Sequence, residues 1–155
     1  MQLTRYTDYA LRTLLFLALR PGGATVAEIA SHYGISYNHL VKVANQLAKL
    51  GYVNATRGKS GGLKLARDPG EITVAEIVRA TEPNFHMVEC FNMETNTCPI
   101  APACKLKGIL GQANEAFLDV LTRYTVQDVI GTDGDAILVL LGVTTSSMRP
   151  RSATG

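Results

Sequence analysis

All three cysteines of the chain lie within one stretch of 15 residues that has no helical or strand pattern. Cys90, Cys98 and Cys104 are separated by polar residues and by Pro99 and Pro102, and proline interrupts both helices and sheet interiors. A structureless stretch of this length inside a compact domain is usually functional or disordered. Thiolates are soft ligands that suit zinc, copper(I) or iron–sulfur clusters. The pattern therefore predicts a metal centre that is one ligand short of all-cysteine tetrahedral coordination.

Two alternative roles of the cysteines stay open from the sequence. The cysteines could be three unrelated thiols, or they could form one disulfide with an odd cysteine left over. The sequence has no signal-peptide pattern and no apolar run near the ~20 residues that a membrane span needs. We therefore expect a cytoplasmic protein without membrane contact, and structural disulfides are rare in that compartment.

The charge of the chain is divided between its two halves. Residues 1–67 contain nine Lys and Arg against two acidic residues, whereas residues 68–155 contain six against eleven. The balances are +7 and −5, and together they give the net charge of +2. A basic first half beside an acidic remainder indicates a polyanion-binding domain followed by a part with another role.

Helical periodicity predicts three helices in the basic half, over residues 3–20, 26–33 and 37–50. A capping box at Thr25 and Glu28 begins the second helix, Gly34 ends it, and Ser36 caps the third. Two short helices joined by a tight turn are typical of a helix-turn-helix. The third helix carries polar and cationic residues near its amino end, where a recognition helix contacts bases. The candidate DNA contacts are Ser36, Tyr37, Asn38, His39 and Lys42.

A glycine-rich hairpin is predicted directly after these helices. Residues 52–56 and 63–66 read as strands, and the turn between them contains Arg57 and Lys59. A hairpin in this position is a wing, and its two cations suit phosphates or the minor groove. A nucleotide-binding phosphate loop is excluded because it needs the motif GxxxxGK(S/T) between a strand and a helix, which is absent here. The predicted fold is mainly α with a small β wing, a winged helix-turn-helix.

A long helix is predicted after the cysteines, over residues 105–124. Its apolar residues recur at intervals of 4, 3, 4, 3 and 4, as in a coiled-coil seam, which predicts a homodimer contact; they are Leu106, Leu110, Ala113, Phe117, Val120 and Tyr124. The predicted domains are a DNA-binding domain (1–82), a cluster-binding loop (83–104), a dimerisation region (105–131), and a C-terminal arm with a flexible tail (132–155). Within the arm, residues 136–143 are expected to form a short strand or packing arm.

These features together resemble the winged-helix iron–sulfur transcription regulators, a family that includes NsrR and IscR. The resemblance covers nearly the whole chain and includes the opening LTRYTDYALR, the wing RGKSGGL and three cysteines before a long helix. It implies a homodimer that binds palindromic operators in double-stranded DNA and carries an iron–sulfur cluster in the cysteine loop. The cluster is expected to be 4Fe–4S, with 2Fe–2S as the alternative.

The resemblance also indicates where the fourth ligand comes from. Cluster-assembly regulators use a histidine three residues after the last cysteine, and that position is Lys107 here. Nitric-oxide sensors use an aspartate from the first helix of the partner subunit, and Asp8 occupies that place. The chain is therefore expected to be a nitric-oxide-sensing repressor. The chain departs from the family in one respect. Seven residues separate Cys90 from Cys98, whereas family members usually have fewer. The longer segment could alter the cluster type.

Several rival roles remain open from the sequence. Asp8 and Arg12 are four residues apart, so they also fit an ordinary intrahelical ion pair. His86, near the cysteines, is an alternative fourth ligand. Alternative functions are a thiol, redox or iron-responsive regulator, or a zinc-stabilised DNA-binding protein. An enzyme is the least favoured function, because surface or capping roles suffice for the other two histidines.

Overall fold

The computed structural model describes residues 2–56, 58 and 61–143. This part of the chain contains seven α-helices, one two-stranded sheet and three short 3-10 turns. The helices are α1 (Arg5–Leu19), α2 (Val26–Tyr33), α3 (Tyr37–Lys49), α4 (Val74–Thr81), α5 (Lys105–Thr122), α6 (Val126–Ile130) and α7 (Gly134–Leu140). The strands are β1 (Val53–Thr56) and β2 (Gly62–Leu65), and the 3-10 turns span Pro69–Glu71, Glu89–Phe91 and Ala101–Ala103. The prediction of a mainly helical winged fold is confirmed.

The helix-turn-helix is formed by α2 and α3. The Thr25 hydroxyl accepts from the Glu28 backbone N–H at 3.1 Å, and the Glu28 carboxylate accepts from the Thr25 N–H at 2.7 Å. Gly34, with a φ of +63°, ends α2 in the left-handed conformation that glycine adopts without strain. Ser36 precedes α3 as predicted, but its side chain makes no capping hydrogen bond within the described structure. Local sequence signals therefore set the bounds of α2 more firmly than the start of α3.

The core is built around α1. Its buried face includes Ala10, Leu14 and Leu17, and it packs against α3, α4, α6 and β2. Because α6 follows the long helix α5 and yet packs on α1, the chain returns to the DNA-binding half after leaving it. A displacement of α1 would therefore also affect the positions of α3, the wing and α6.

The wing is attached to the rest of the domain at two places. β1 and β2 are antiparallel, with Val53 opposite Leu65, and a bridge between Ala24 and Leu63 joins β2 to the segment before α2. Arg67, just after β2, forms an ion pair with Glu76 of α4 at 2.7 Å. Arg57 and Lys59 lie outside the described residues, so their predicted DNA contacts stay predictions.

Gly23 permits the close approach of the wing, and its substitution should be costly. Its φ is +87°, and a Cβ there would lie 2.6 Å from the Leu63 carbonyl oxygen. We expect Gly23→Ala to lower the free energy of unfolding by about 2 kcal/mol or more. Gly22→Ala is the matched control, because its Cβ would meet no atom within 4 Å. Urea denaturation of the metal-free protein compares the two, and equal effects would contradict the assignment.

The short strand that was expected as one alternative for residues 136–143 is wrong. Residues 134–140 form the helix α7, with Leu138 buried. A short continuous apolar run does not distinguish a buried strand from a helix by periodicity alone. Beyond α7, the Leu141 carbonyl oxygen lies 2.7 Å from His32 Nδ1, which ties this segment to α2. The predicted flexible tail from residue 144 lies outside the described residues.

None of the helices in the described ranges combines the length and the apolar character that crossing a membrane requires.

Candidate metal centre and DNA interface

The cysteine loop is held in shape by local side-chain hydrogen bonds. The side-chain oxygens of Asn84, Asn92 and Asn96 each accept from the backbone N–H two residues ahead, at 3.0, 3.0 and 3.1 Å. Asparagine favours turns because its side chain can replace a backbone acceptor in this way. The loop is therefore a series of turns with two 3-10 segments, and not a stretch without structure.

A further contact closes the longer arc between the first two cysteines. The Glu89 carboxylate accepts from the Thr97 hydroxyl at 2.7 Å and from the Thr97 backbone N–H at 2.9 Å. These hydrogen bonds hold the pKa of Glu89 below its usual value. The contact is therefore complete at neutral pH and is lost as the pH falls through that lowered pKa. It brings together the residues next to Cys90 and Cys98.

The three cysteines are free and half-buried. Cys90 lies in the 3-10 turn Glu89–Phe91, and Cys104 directly precedes α5, an 18-residue helix. The first backbone N–H groups of a helix have no partner within the helix, and the macrodipole favours negative charge at this end. A thiolate or an anionic cluster held by Cys104 is thus in a favourable electrostatic position.

A groove of about 750 Å³ lies between the loop and α5, lined by residues that include His86, Cys104, Lys107 and Asn114. The Asn114 side-chain amide donates to the Phe85 carbonyl at 3.2 Å, which fixes the loop to α5. Its Oδ1 is buried and has no hydrogen-bond partner within the described part of the chain. That oxygen is an acceptor available to a bound group or to a second subunit.

The predicted metal ligands are not gathered into one cluster in the single chain. Within residues 2–56, 58 and 61–143, no group of three His, Cys, Asp or Glu side chains is placed to hold a metal ion. The donor set nevertheless fits an iron–sulfur cluster. Three free, half-buried thiols lie on one loop beside a groove and a helix N-terminus, and thiolates are the usual protein ligands of these clusters.

Asp8 is engaged with Arg12 in the single chain. The two carboxylate oxygens accept from the Arg12 guanidinium at 3.0 and 2.8 Å. The guanidinium carbon lies 5.7 Å from the centre of the ring of Tyr33, which is the last residue of α2. Burial raises the pKa of Tyr33, the Arg12 charge lowers it, and the Asp8 charge raises it. The ion pair that the sequence allowed is therefore present. Through its contact with Tyr33, Arg12 also connects this pair to the helix-turn-helix.

The predicted DNA-contacting residues at the start of α3 are all exposed. Tyr37 is 54% exposed, and Ser36, Asn38, His39 and Lys42 are exposed as well. The opposite side of α3 is buried through Leu40, Val43, Ala44 and Leu47. Asn45 is exposed on the same helix and was not among the predicted candidates. The sequence could have indicated Asn45 as a further candidate, because residues seven positions apart, such as Asn38 and Asn45, lie on the same face of a helix.

A helix-turn-helix with a polar, exposed third helix and an adjacent wing defines a winged-helix DNA-binding protein. Residues 3–132 match the sequence profile of the Rrf2 family, described as an iron-dependent transcriptional regulator. The chain belongs to the Rrf2 family. The prediction of a transcriptional regulator of this family, and not an enzyme, is confirmed.

Individual relatives agree with this assignment. The chain is 50% identical over 147 residues to the HTH-type transcriptional regulator NsrR of Shouchella clausii, covering 94% of this chain and 99% of that protein. Among solved structures, it is similar to CymR, the global cysteine regulator of Bacillus subtilis. That match has a TM-score of 0.67 and 25% identity, and covers 83% of this chain and 95% of the other. The IscR structure from T. potens has a TM-score of 0.67 at 22% identity, covering 97% and 93%, and this likeness shows the fold.

Proposed function

We propose that this protein is a homodimeric, cytoplasmic transcriptional repressor that senses nitric oxide through an iron–sulfur cluster. The observation that carries the proposal is the set of three free, half-buried thiols on an ordered loop at the start of α5. The 50% identity to a regulator named NsrR supports nitric oxide as the signal. The family description as iron-dependent supports iron as the metal.

In this proposal, Cys90, Cys98 and Cys104 hold the cluster, and the partner's Asp8 completes its coordination. When bound, a cluster of this kind supplies an iron site at which nitric oxide can react. A 4Fe–4S cluster fits best, because three thiolates leave one iron for an oxygen ligand. The hydrogen bonds of Glu89 and Asn96 order the segments next to Cys90 and Cys98. Such local order lowers the entropic cost of binding.

The dimer is supported by the unpartnered apolar side of α5. Leu106, Ile109 and Val120 of this helix are 58%, 60% and 47% exposed in the single chain. A soluble protein rarely leaves such a row of large apolar side chains in water. A second copy of α5 would cover them, and the proposed ligation by Asp8 requires each loop to lie near the first helix of the other subunit.

The connection from the cluster to DNA runs through contacts within the chain. Asp8 is bound by Arg12, and Arg12 lies over the ring of Tyr33 at the end of α2. Recruitment or release of the Asp8 carboxylate therefore changes how Arg12 is held. A change at Arg12 would reach the turn of the helix-turn-helix, because Tyr33 directly precedes Gly34. A coupling free energy of about 1–3 kcal/mol suffices to change the affinity for the operator about 5–150-fold.

The test is selection of random double-stranded DNA by the cluster-loaded protein without oxygen. We expect enrichment of a palindromic sequence, release of that DNA by nitric oxide, and a steep loss of affinity with salt. Lys42→Ala should flatten the salt dependence by about one unit if it contacts a phosphate, whereas Asn38→Ala should relax base preference at one position. Selection of no sequence, or DNA binding that is indifferent to nitric oxide, would contradict the proposal.

A further inference from the structure

Four polar side chains connect the first turn of α1 with the end of α4. Thr4 is the N-cap of α1, Thr7 lies in its first turn, and Thr81 and Glu82 end α4. The Thr81 and Thr7 hydroxyl oxygens are hydrogen-bonded at 2.9 Å, and the Thr81 hydroxyl oxygen also lies 2.7 Å from the Ile77 carbonyl oxygen of the same helix. The Thr7 and Thr4 hydroxyl oxygens are 3.1 Å apart, and the Thr4 hydroxyl donates to the Glu82 carboxylate at 3.0 Å. Thr4, Thr7, Thr81 and Glu82 are called the hydroxyl network below.

The centre of this network is buried. Thr7 is fully buried, and Thr81 is 9% exposed. A buried hydroxyl costs free energy unless it is hydrogen-bonded, and an apolar pair of the same shape can pack with similar stability. Each hydroxyl can donate only one hydrogen bond but can accept others, so the protons of the network have to be shared among its members. Such a network mainly fixes the relative position of the segments that it joins.

Thr13 shows that a buried threonine in α1 need not have this role. It is also fully buried, but its hydroxyl donates to the Tyr9 carbonyl of the same helix at 2.7 Å. That hydrogen bond connects no second element. Thr7, in contrast, bonds to a residue 74 positions away in the sequence.

The network joins the two parts of the chain that contribute to the candidate metal centre. Thr7 directly precedes Asp8, and Glu82 directly precedes the predicted loop over residues 83–104. Thr4, Glu82 and His86 also line a cavity of about 260 Å³ beside the network. The cavity gives the first residues of the loop space to move. Because the network joins Glu82 to the first turn of α1, such a movement would also displace that turn.

We propose that the hydroxyl network makes the two cluster sites of the dimer interdependent. This inference rests on the proposed function, in which each loop binds a cluster that the partner's Asp8 completes. Loss of one cluster frees the loop of that chain and displaces Glu82. The network transmits the displacement to Thr7, and Asp8 of the same chain moves away from the other cluster. The first loss thereby promotes the second, a positive coupling between two sites.

The experiment counts clusters per dimer by native mass spectrometry while an iron(II) chelator removes iron without oxygen. If the sites are independent, about half of the dimers carry one cluster when half of all clusters are lost. For the wild-type protein we expect less than about a quarter, because of the coupling. Thr7→Val should raise the proportion to the independent value, Thr7→Ser should restore the wild-type proportion, and Thr13→Val should leave it unchanged.

Independent loss from the wild-type protein would overturn the proposal, as would coupling that survives in Thr7→Val. Thr81→Val removes the same hydrogen bond from the α4 side and replaces Thr7→Val if that variant does not fold. Circular dichroism of the metal-free proteins establishes folding separately. Failure of the proposed function gives a different result from independent cluster loss. In that case, wild-type dimers would carry no cluster before the chelator is added.

Discussion

Cys104→Ala protein purified without oxygen is expected to be colourless and to contain almost no iron or acid-labile sulfide. Cys90, Cys98 and Cys104 are the only cysteines of the chain, and each is free and half-buried. Removal of one thiolate leaves two soft ligands from the loop, too few to retain a cluster against water and competing thiols. Cys90→Ala and Cys98→Ala should behave alike. Iron and sulfide analysis, with the visible absorption spectrum, measures the effect.

Met93→Leu is the matched control for these cysteine variants. Met93 lies in the same loop, its side chain is 76% exposed, and its sulfur is 3.6 Å from the Lys107 amino group. Removal of its thioether should leave the cluster content unchanged. The cysteine variants should also keep the stability of the metal-free protein within about 1 kcal/mol, because half-exposed side chains contribute little to the core. A triple cysteine variant that remained brown would contradict the assignment, and a colourless wild-type protein with bound zinc would select the structural-zinc alternative.

The DNA-binding half was predictable because its signals are local. The Thr25 capping box, the Gly34 turn and the apolar stripe of α3 each depend on residues within one or two helical turns. The start of α6 has a similarly local basis, because the Thr125 hydroxyl accepts from the Asp128 N–H at 3.1 Å. The loop was less predictable, since turns made by asparagine side chains have no periodicity.

The contacts that join distant segments could not be predicted from the sequence. Neither the Thr7–Thr81 hydrogen bond nor the position of Arg12 over Tyr33 has a sequence signature. Both connect elements whose relative placement depends on the whole core. The proposed fourth ligand has no sequence pattern of its own. A residue that a partner subunit would contribute has no fixed spacing from the cysteines, so Asp8 was proposed only through the family resemblance.

Asp8→Ala is expected to leave a cluster that is still bound but has an altered absorption spectrum. Three thiolates continue to hold it, while the oxygen ligand is lost. In the single chain, however, Asp8 is paired with Arg12 at 2.8 Å, and its side chain is 43% exposed. If that ion pair were its only role, Asp8→Ala would cost less than about 1 kcal/mol and leave the spectrum unchanged.

Arg12→Ala separates the two roles of Asp8. It removes the ion pair and the stacking on Tyr33 but keeps the carboxylate. We expect the Arg12→Ala cluster to have a wild-type spectrum, whereas its release from DNA by nitric oxide should be weakened. Equal spectral changes in Asp8→Ala and Arg12→Ala would show that Asp8 acts only through the ion pair. Asp8→Cys should instead give an all-thiolate cluster that reacts more slowly with nitric oxide.

Mixed dimers establish which subunit supplies the ligand. One subunit carries Asp8→Ala, and the other carries Cys90→Ala, Cys98→Ala and Cys104→Ala. The only competent loop then faces an intact Asp8 across the interface, so a normal cluster is expected in half of the sites. In the reverse pairing, all four substitutions are in one subunit, and the intact loop faces alanine. A wild-type spectrum from that dimer would show that the fourth ligand is a residue other than the partner's Asp8. His86 would then be the first candidate, because it lines the groove that also contains Cys104.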